Sequence, residues 1–228
     1  MINIAPHLRA VRERIRAAEE RFGRPPDSVQ LLAVSKRHPV TALRAAHAQD
    51  QRRFGESYVQ EALVKMDRLI DLDIEWHFIG PLQSNKTRPV AERFHWVHSV
   101  DRLKIARRLA EQRPITLGPL NVCLEVNLSG EKSKSGVSPD ELPELAKTVD
   151  ALTGLRLRGL MCIPAPEPDF RRQRQVFARL RRLVEQLSSD GLQLDTLSMG
   201  MSNDLEAAIA EGATIVRVGT AIFGPRGG

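Results

Sequence analysis

The stretch LLAVSKRHP, residues 31–39, carries an apolar run directly into Lys36. A cation seldom terminates a core segment unless something there uses it. If the run is a strand, side-chain alternation puts Leu32, Val34 and Lys36 on one face. Near the other end of the chain, TIVRVGTAIFG repeats the arrangement, with Ile215, Arg217 and Gly219 on one face. Two cations carried into an apolar interior without carboxylate partners require an anionic ligand. Just upstream, SMGMSND sets Gly200 before Met201 and Ser202, and Ser202 or Asn203 is suited to cap a helix beginning near Asp204. N–H groups at a helix start bind phosphate. The backbone of Gly219 and Thr220 in VGTAIFG offers further donors. Either loop alone is an ordinary cap or turn. Together with Lys36 they read as a phosphate cradle beside an amine.

A lysine amine is nucleophilic only when neutral, and its free pKa is about 10.4. Desolvation and a nearby cation both lower that value. An amine so activated forms a Schiff base with a carbonyl. A phosphorylated aldehyde held in this way points to pyridoxal 5′-phosphate, whose lysine aldimine and phosphate clamp are protein-supplied features.

These groups lie far apart in sequence, so the fold must bring them together. Strand-like runs alternate with helical patterns along the chain. The strands fall at about 29–35, around RRF, at WHFIG, WVHS, NVCLEVNL, LRLRGLMCI, DTLSM and TIVRVG. The helices fall at about 39–49, 57–70, over NKTRPVAERF, at 101–112, 139–151, 171–187 and over DLEAAIAEG. Eight such units imply a parallel sheet with right-handed crossovers. At 228 residues the expectation is one domain over 1–228, a (β/α)8 barrel of the TIM type with an extra N-terminal amphipathic helix over 1–24. An open doubly wound sheet is the alternative, but the glycine fingerprint of a dinucleotide site is missing after the first strand. In a barrel the ligand site lies at the C-terminal strand ends, where Lys36, FGESYVQE, the SMGMSND loop and VGTAIFG all fall.

Composition narrows the classes further. No apolar stretch approaches the roughly 20 residues of a membrane span. The first 24 residues are interrupted by charge every few positions, unlike a signal peptide, so a cytoplasmic location is expected. Cys123 and Cys162 each sit in an apolar run and read as buried thiols, with neither zinc spacing nor a disulfide framework. The net charge of +6 concentrates in RRQRQVFARLRRLVEQL. Its apolar residues, Val176, Phe177, Leu180, Leu183, Val184 and Leu187, form one helix face, leaving the arginines as a solvated face. No aromatic side chains interleave with them as stacking platforms, so no nucleic-acid partner is expected.

The motifs LLAVSK, FGESYVQE, WHFIGPLQSNK, VHSVD, EVNLSGEKSKSG, GLMCIP and LSMGMSNDLEAAIAEGATIVRVGTAIFG resemble the pyridoxal-phosphate homeostasis protein family, itself similar to the N-terminal barrel of alanine racemases. The resemblance runs in order over nearly the whole chain. It implies cofactor attachment at Lys36, phosphate contacts from the Met201–Ser202 loop and from Gly219 and Thr220, and Arg217 near the pyridine nitrogen. Ser57 stands where the family usually has Asn; its hydroxyl can still donate, from a shorter reach. The resemblance also implies a carrier or regulator of vitamin B6, with transient contact to apo-enzymes that use the cofactor. Racemases of this fold take a second base from a tyrosine on another domain. Here the only tyrosine, Tyr58, opens a helix and no second base is evident, which favours a non-enzymatic protein; the racemase second domain, a major dimer contact, is expected to be missing, which favours a monomer. A small amino-acid racemase and a sugar-phosphate Schiff-base enzyme remain alternatives.

Other residues read as structural. His77 is expected to be a hydrogen-bonded strand histidine, and Ser99 and Asp101 to cap the following helix. Asn85 and Lys86 are expected to cap and support near the rim. Lys132 and Lys134 read as solvated loop cations, or as a transient phosphate site during loading.

Overall fold

The strands are short and mostly buried, with an apolar outer face, the pattern of a parallel sheet covered by helices. In the computed structural model, which describes residues 3–129 and 135–225, they close into a barrel of eight parallel strands in chain order. The strands are β1 (Gln30–Val34), β2 (Arg53–Glu56), β3 (Glu75–Phe78), β4 (Trp96–Val100), β5 (Leu120–Glu125), β6 (Leu155–Met161), β7 (Thr196–Ser198) and β8 (Ile215–Val218). The helices are α1 (Ile4–Arg21), α2 (Val40–His47), α3 (Val59–Arg68), α4 (Thr87–Arg93), α5 (Leu103–Gln112), α6 (Leu142–Asp150), α7 (Phe170–Ser189), α8 (Leu205–Ala210) and α9 (Thr220–Phe223). Closure is made by β1 against β8, with Leu32 paired to Arg217 and Ala33 to Val218. The sequence expectation thus holds for fold, strand order and the N-terminal helix. The short α9 was not anticipated: GTAIFG reads as a turn because only four residues become helical before Gly224.

Alternation divides the side chains into two sets. Ala33, Phe54, Phe78, Val97, Val122, Leu124, Val216 and Val218 belong to the large outer core between sheet and helices. Leu32, Ile79 and Ile215, flanked by Val34, form a separate cluster inside the barrel, and Trp96, Cys123 and Met161 form another. The helix α1 lays Leu8, Val11 and Ile15 against the outer core and ties to the mouth through Arg14, which pairs with Glu206 at 2.9 Å and donates to the Ser202 carbonyl at 3.0 Å. In α7, Phe177, Leu180 and Leu187 are buried while Val176, Leu183 and Val184 pack at the margin, as the periodicity requires. Its Arg174 pairs with Glu211 at 2.7 Å. Among the described residues, no helix is long and apolar enough to cross a membrane.

Candidate functional site

Lys36 lies two residues beyond the end of β1, on the inward parity set by Leu32 and Val34. The turn that presents it is held from outside the barrel. Arg37 adopts a left-handed φ of 63°, uncommon for a residue with a Cβ. Its N–H donates to Glu61 Oε1 at 2.6 Å. Glu61 also accepts from Lys65 Nζ at 2.6 Å, and Lys65 in turn donates to Glu56 at 2.7 Å and to the Ser35 carbonyl at 2.8 Å. Ser35 Oγ completes the cluster with a 2.6 Å bond to Glu56. The residues on either side of Lys36 are therefore anchored to a buried ion-pair network behind the sheet. Burial raises the Glu56 carboxyl above its ordinary range, and Lys65 opposes that rise. Sequence reading missed this network; the Glu61–Lys65 spacing of four on a helix was the available signal.

Arg217 enters from β8 and is buried, 4% exposed. Its Nη1 donates to the carbonyl and hydroxyl of Ser198 at 2.5 and 2.8 Å, and Nη2 donates to the Cys162 carbonyl at 2.8 Å. Among the described residues no carboxylate reaches it within ion-pair distance, and its Nε–H and one Nη2–H form no hydrogen bond. A guanidinium in that state is poised to donate to a ligand.

The two glycine loops sit beside it. Gly200 has φ +95°, and a Cβ there would meet Ala208 Cβ at 2.6 Å, so only glycine lets the loop fold onto α8. A Cβ on Gly219 would come to 3.0 Å from the Val34 carbonyl oxygen. Among the described residues, no hydrogen bond is made by the backbone N–H groups of Ser202, Asn203, Gly219, Thr220 or Ala221. The helix α8 begins one residue later than expected, with Asp204 at the N-cap position, so neither Ser202 nor Asn203 caps it. Asp204 instead accepts from Met201 N–H at 2.5 Å, which withdraws that one donor from any ligand.

Lys36, Met201, Ser202, Arg217, Gly219 and Thr220 all line one cavity of about 640 Å³, with Val34, His38 and Ile79. Ser57 does not line it, but Ser57 Oγ is buried with no hydrogen-bond partner, an orphaned polar atom at the end of β2. A second cavity of about 640 Å³ shares Ile79, Ile163 and Pro164 with the first and is lined by Glu125. Glu125 is 7% exposed, and burial pushes its carboxyl up to about 7, with Asp101 adding to the rise and Arg217 opposing it. Sequence reading passed over Glu125, although it shares inward parity with Cys123.

The structural readings fare unevenly. His77 is the buried, hydrogen-bonded strand histidine expected, bonded to Glu75 and His98. Cys123 and Cys162 are buried and free, each thiol pushed up to about 12 by burial. Ser99 and Asp101 cap nothing: Ser99 Oγ donates to the Gly80 carbonyl at 2.5 Å, Asp101 pairs with Arg102 at 2.6 Å, and α5 starts after Arg102. Asn85 and Lys86 lie in a 3-10 turn, Ser84–Lys86, and make no capping bond to α4. Lys132 and Lys134 lie outside the described residues.

The family model for the alanine racemase N-terminal domain matches residues 7–227. The pyridoxal phosphate homeostasis protein of Pseudomonas aeruginosa is 62% identical over 226 residues, covering 99% of this chain and 97% of that protein. The protein of that name in Escherichia coli is 53% identical over 229 residues, covering 99% and 98%. PipY of Synechococcus elongatus, solved with PLP bound, superposes with a TM-score of 0.87 at 40% identity, covering 97% of this chain and 100% of its own. The alanine racemase of Corynebacterium glutamicum shares the fold alone, at 17% identity with a TM-score of 0.71. The barrel carries a lysine and an arginine at its mouth, and the match to the pyridoxal phosphate homeostasis proteins over 99% of this chain at 62% and 53% identity places it in that family.

Proposed function

We propose that this protein binds pyridoxal 5′-phosphate through Lys36 and serves in vitamin B6 homeostasis as a carrier or regulator. The observation that carries the reading is the convergence, in one cavity, of an amine, a buried guanidinium without a carboxylate partner and backbone N–H groups without acceptors. The donor set fits the cofactor's chemistry. The N–H groups of Ser202, Gly219 and Thr220 would hold the phosphate, with Met201 shaping the loop. Arg217 would donate to the pyridine nitrogen; the Ser57 hydroxyl, buried without a partner but outside the lining of this cavity, would reach the cofactor only by a change of rotamer. When bound, the cofactor supplies an aldehyde and an electron-withdrawing ring. Lys36, which lines the same cavity, would be the attachment point for that aldehyde.

Arg217 also argues for restraint of chemistry. A guanidinium stays protonated at all working pH values, so it donates a hydrogen bond without giving up a proton. The ring nitrogen beside it stays unprotonated and the electron sink is weak. That suits a protein that holds its cargo without consuming amino acids and passes it to apo-enzymes, working as a cytoplasmic monomer. The test is titration with pyridoxal 5′-phosphate followed by the visible spectrum, then borohydride reduction and peptide mapping. A pyridoxyl group on Lys36 is the expected result, and no visible band or an adduct elsewhere overturns the assignment. Deuterium incorporation into L-alanine at about 1 s⁻¹ or faster would replace the carrier reading with the racemase one.

A further inference from the structure

Arg217 is not held by Ser198 alone. A continuous hydrogen-bonded chain leads from it through the barrel interior towards the opposite end. Arg217 Nη1 meets Ser198 Oγ at 2.8 Å, Ser198 Oγ meets His98 Nδ1 at 2.7 Å, His98 Nε2 meets His77 Nδ1 at 2.9 Å, and His77 Nε2 meets Glu75 Oε1 at 2.7 Å. Ser198, His98 and His77 are fully buried. Glu75 opens β3 and is 37% exposed. The His77 ring stacks on Trp96 at 5.5 Å, and Arg53 approaches Glu75 to 3.4 Å.

The position of every proton in this chain follows from its two ends. Arg217 can only donate, so Ser198 Oγ accepts from it. The Ser198 hydroxyl hydrogen then goes to His98 Nδ1. With Nδ1 an acceptor, neutral His98 carries its hydrogen on Nε2 and donates to His77 Nδ1. His77 likewise carries its hydrogen on Nε2 and donates to Glu75. The reverse order would leave the serine hydrogen facing a guanidinium with no acceptor. The electrostatics agree: burial lowers both histidines and keeps them neutral, while the bond from His77 holds the Glu75 carboxyl below its ordinary range. His95 and Arg53, the other basic groups facing Glu75, also favour its ionised form.

We infer that Glu75, His77, His98 and Ser198 form a one-directional relay that positions Arg217 as the donor to the cofactor. The carboxylate at the barrel floor orients both imidazoles, and they orient the serine that fixes the guanidinium. Chains of this kind polarise one another, so each bond strengthens its neighbour. This rests on the proposed binding of pyridoxal phosphate, since the relay's output is the geometry of the cofactor's partner.

The experiment has two arms. Side-chain ¹H–¹⁵N spectra of the cofactor-free protein should show His77 and His98 as neutral Nε2–H tautomers, unchanged between pH 6 and 8. Cofactor binding is then compared in His98→Leu and His98→Gln. Gln restores an acceptor and a donor in sequence, whereas Leu breaks the chain. We expect His98→Leu to weaken the Kd about tenfold and to displace the visible absorption band. His98→Gln should stay within about threefold of the native Kd with the native band. If His98→Leu does not fold, Glu75→Ala removes the acceptor at the exposed end: His77 keeps its Nε2–H, because His98 still donates to its Nδ1, but that proton's resonance should shift upfield and the Kd should weaken as expected for His98→Leu. A protonated or Nδ1–H histidine at pH 7, or His98→Leu matching the native protein in both Kd and band, overturns the relay. Native protein that binds no pyridoxal phosphate would instead overturn the functional reading, and the tautomer arm would still decide the relay.

Discussion

Glu125 offers a direct measure of how strongly the barrel mouth disfavours negative charge before a ligand arrives. Its carboxyl is pushed from an ordinary 4.5 to about 7, first by burial. Between those values the folded chain holds a proton that the unfolded chain has released, so stability falls as pH rises through this window. Above about 7 the whole penalty is present. At about 1.4 kcal/mol per pH unit the gap is worth about 3 kcal/mol at pH 8 and under about 1 kcal/mol at pH 5. Glu125→Gln keeps the shape and removes the charge, so it should recover about 3 kcal/mol at pH 8 and little at pH 5. Urea denaturation at the two pH values, with the slope checked for constancy, reads this directly. Equal gains at both values would mean that the variant acts through packing. No gain at pH 8 would show that Glu125 is solvated, and the reasoning from burial would fail.

Replacing Lys36 by Ala should abolish the visible band of bound cofactor while leaving the thermal unfolding midpoint within a few degrees, because Lys36 is half-buried at the rim and outside the core; a retained band sinks its role as attachment point. Pyridoxal should bind at least about a hundredfold more weakly than its phosphate ester, because two or more charge-assisted bonds are each worth on the order of 1.5–3 kcal/mol; equal affinities in a fluorescence titration would mean the loops around Ser202 and Gly219 hold no phosphate. Lys65→Met strands the buried Glu56 carboxylate, whose Oε2 already lacks a partner, and should cost about 3–5 kcal/mol in urea denaturation. Adding Glu56→Gln should recover part of that loss, and a single-variant cost below about 1 kcal/mol would refute the ion-pair argument.

Much of this protein is written in its local sequence. Apolar runs alternating with helical periodicities fix a parallel barrel, because such strands bury both faces only under a layer of helices. Parity along β1 and β8 is enough to send Lys36 and Arg217 to the same mouth, and glycine at 200 and 219 marks where backbone must approach closely. What the sequence leaves open are the partners of polar groups across distant strands. Ser202, Asn203, Ser99 and Asp101 all have cap-forming chemistry, yet none caps a helix: α8 and α5 start after Asp204 and Arg102, while Ser99 and Asp101 bond Gly80 and Arg102 instead. Asp204 takes the Met201 N–H, a contact set by the pitch of the loop. The line from Glu75 through His77 and His98 to Ser198 and Arg217 includes directly bonded neighbours 100 positions apart. Only closure of the barrel, which stacks inward side chains from β3, β4, β7 and β8 in one interior, decides that they meet.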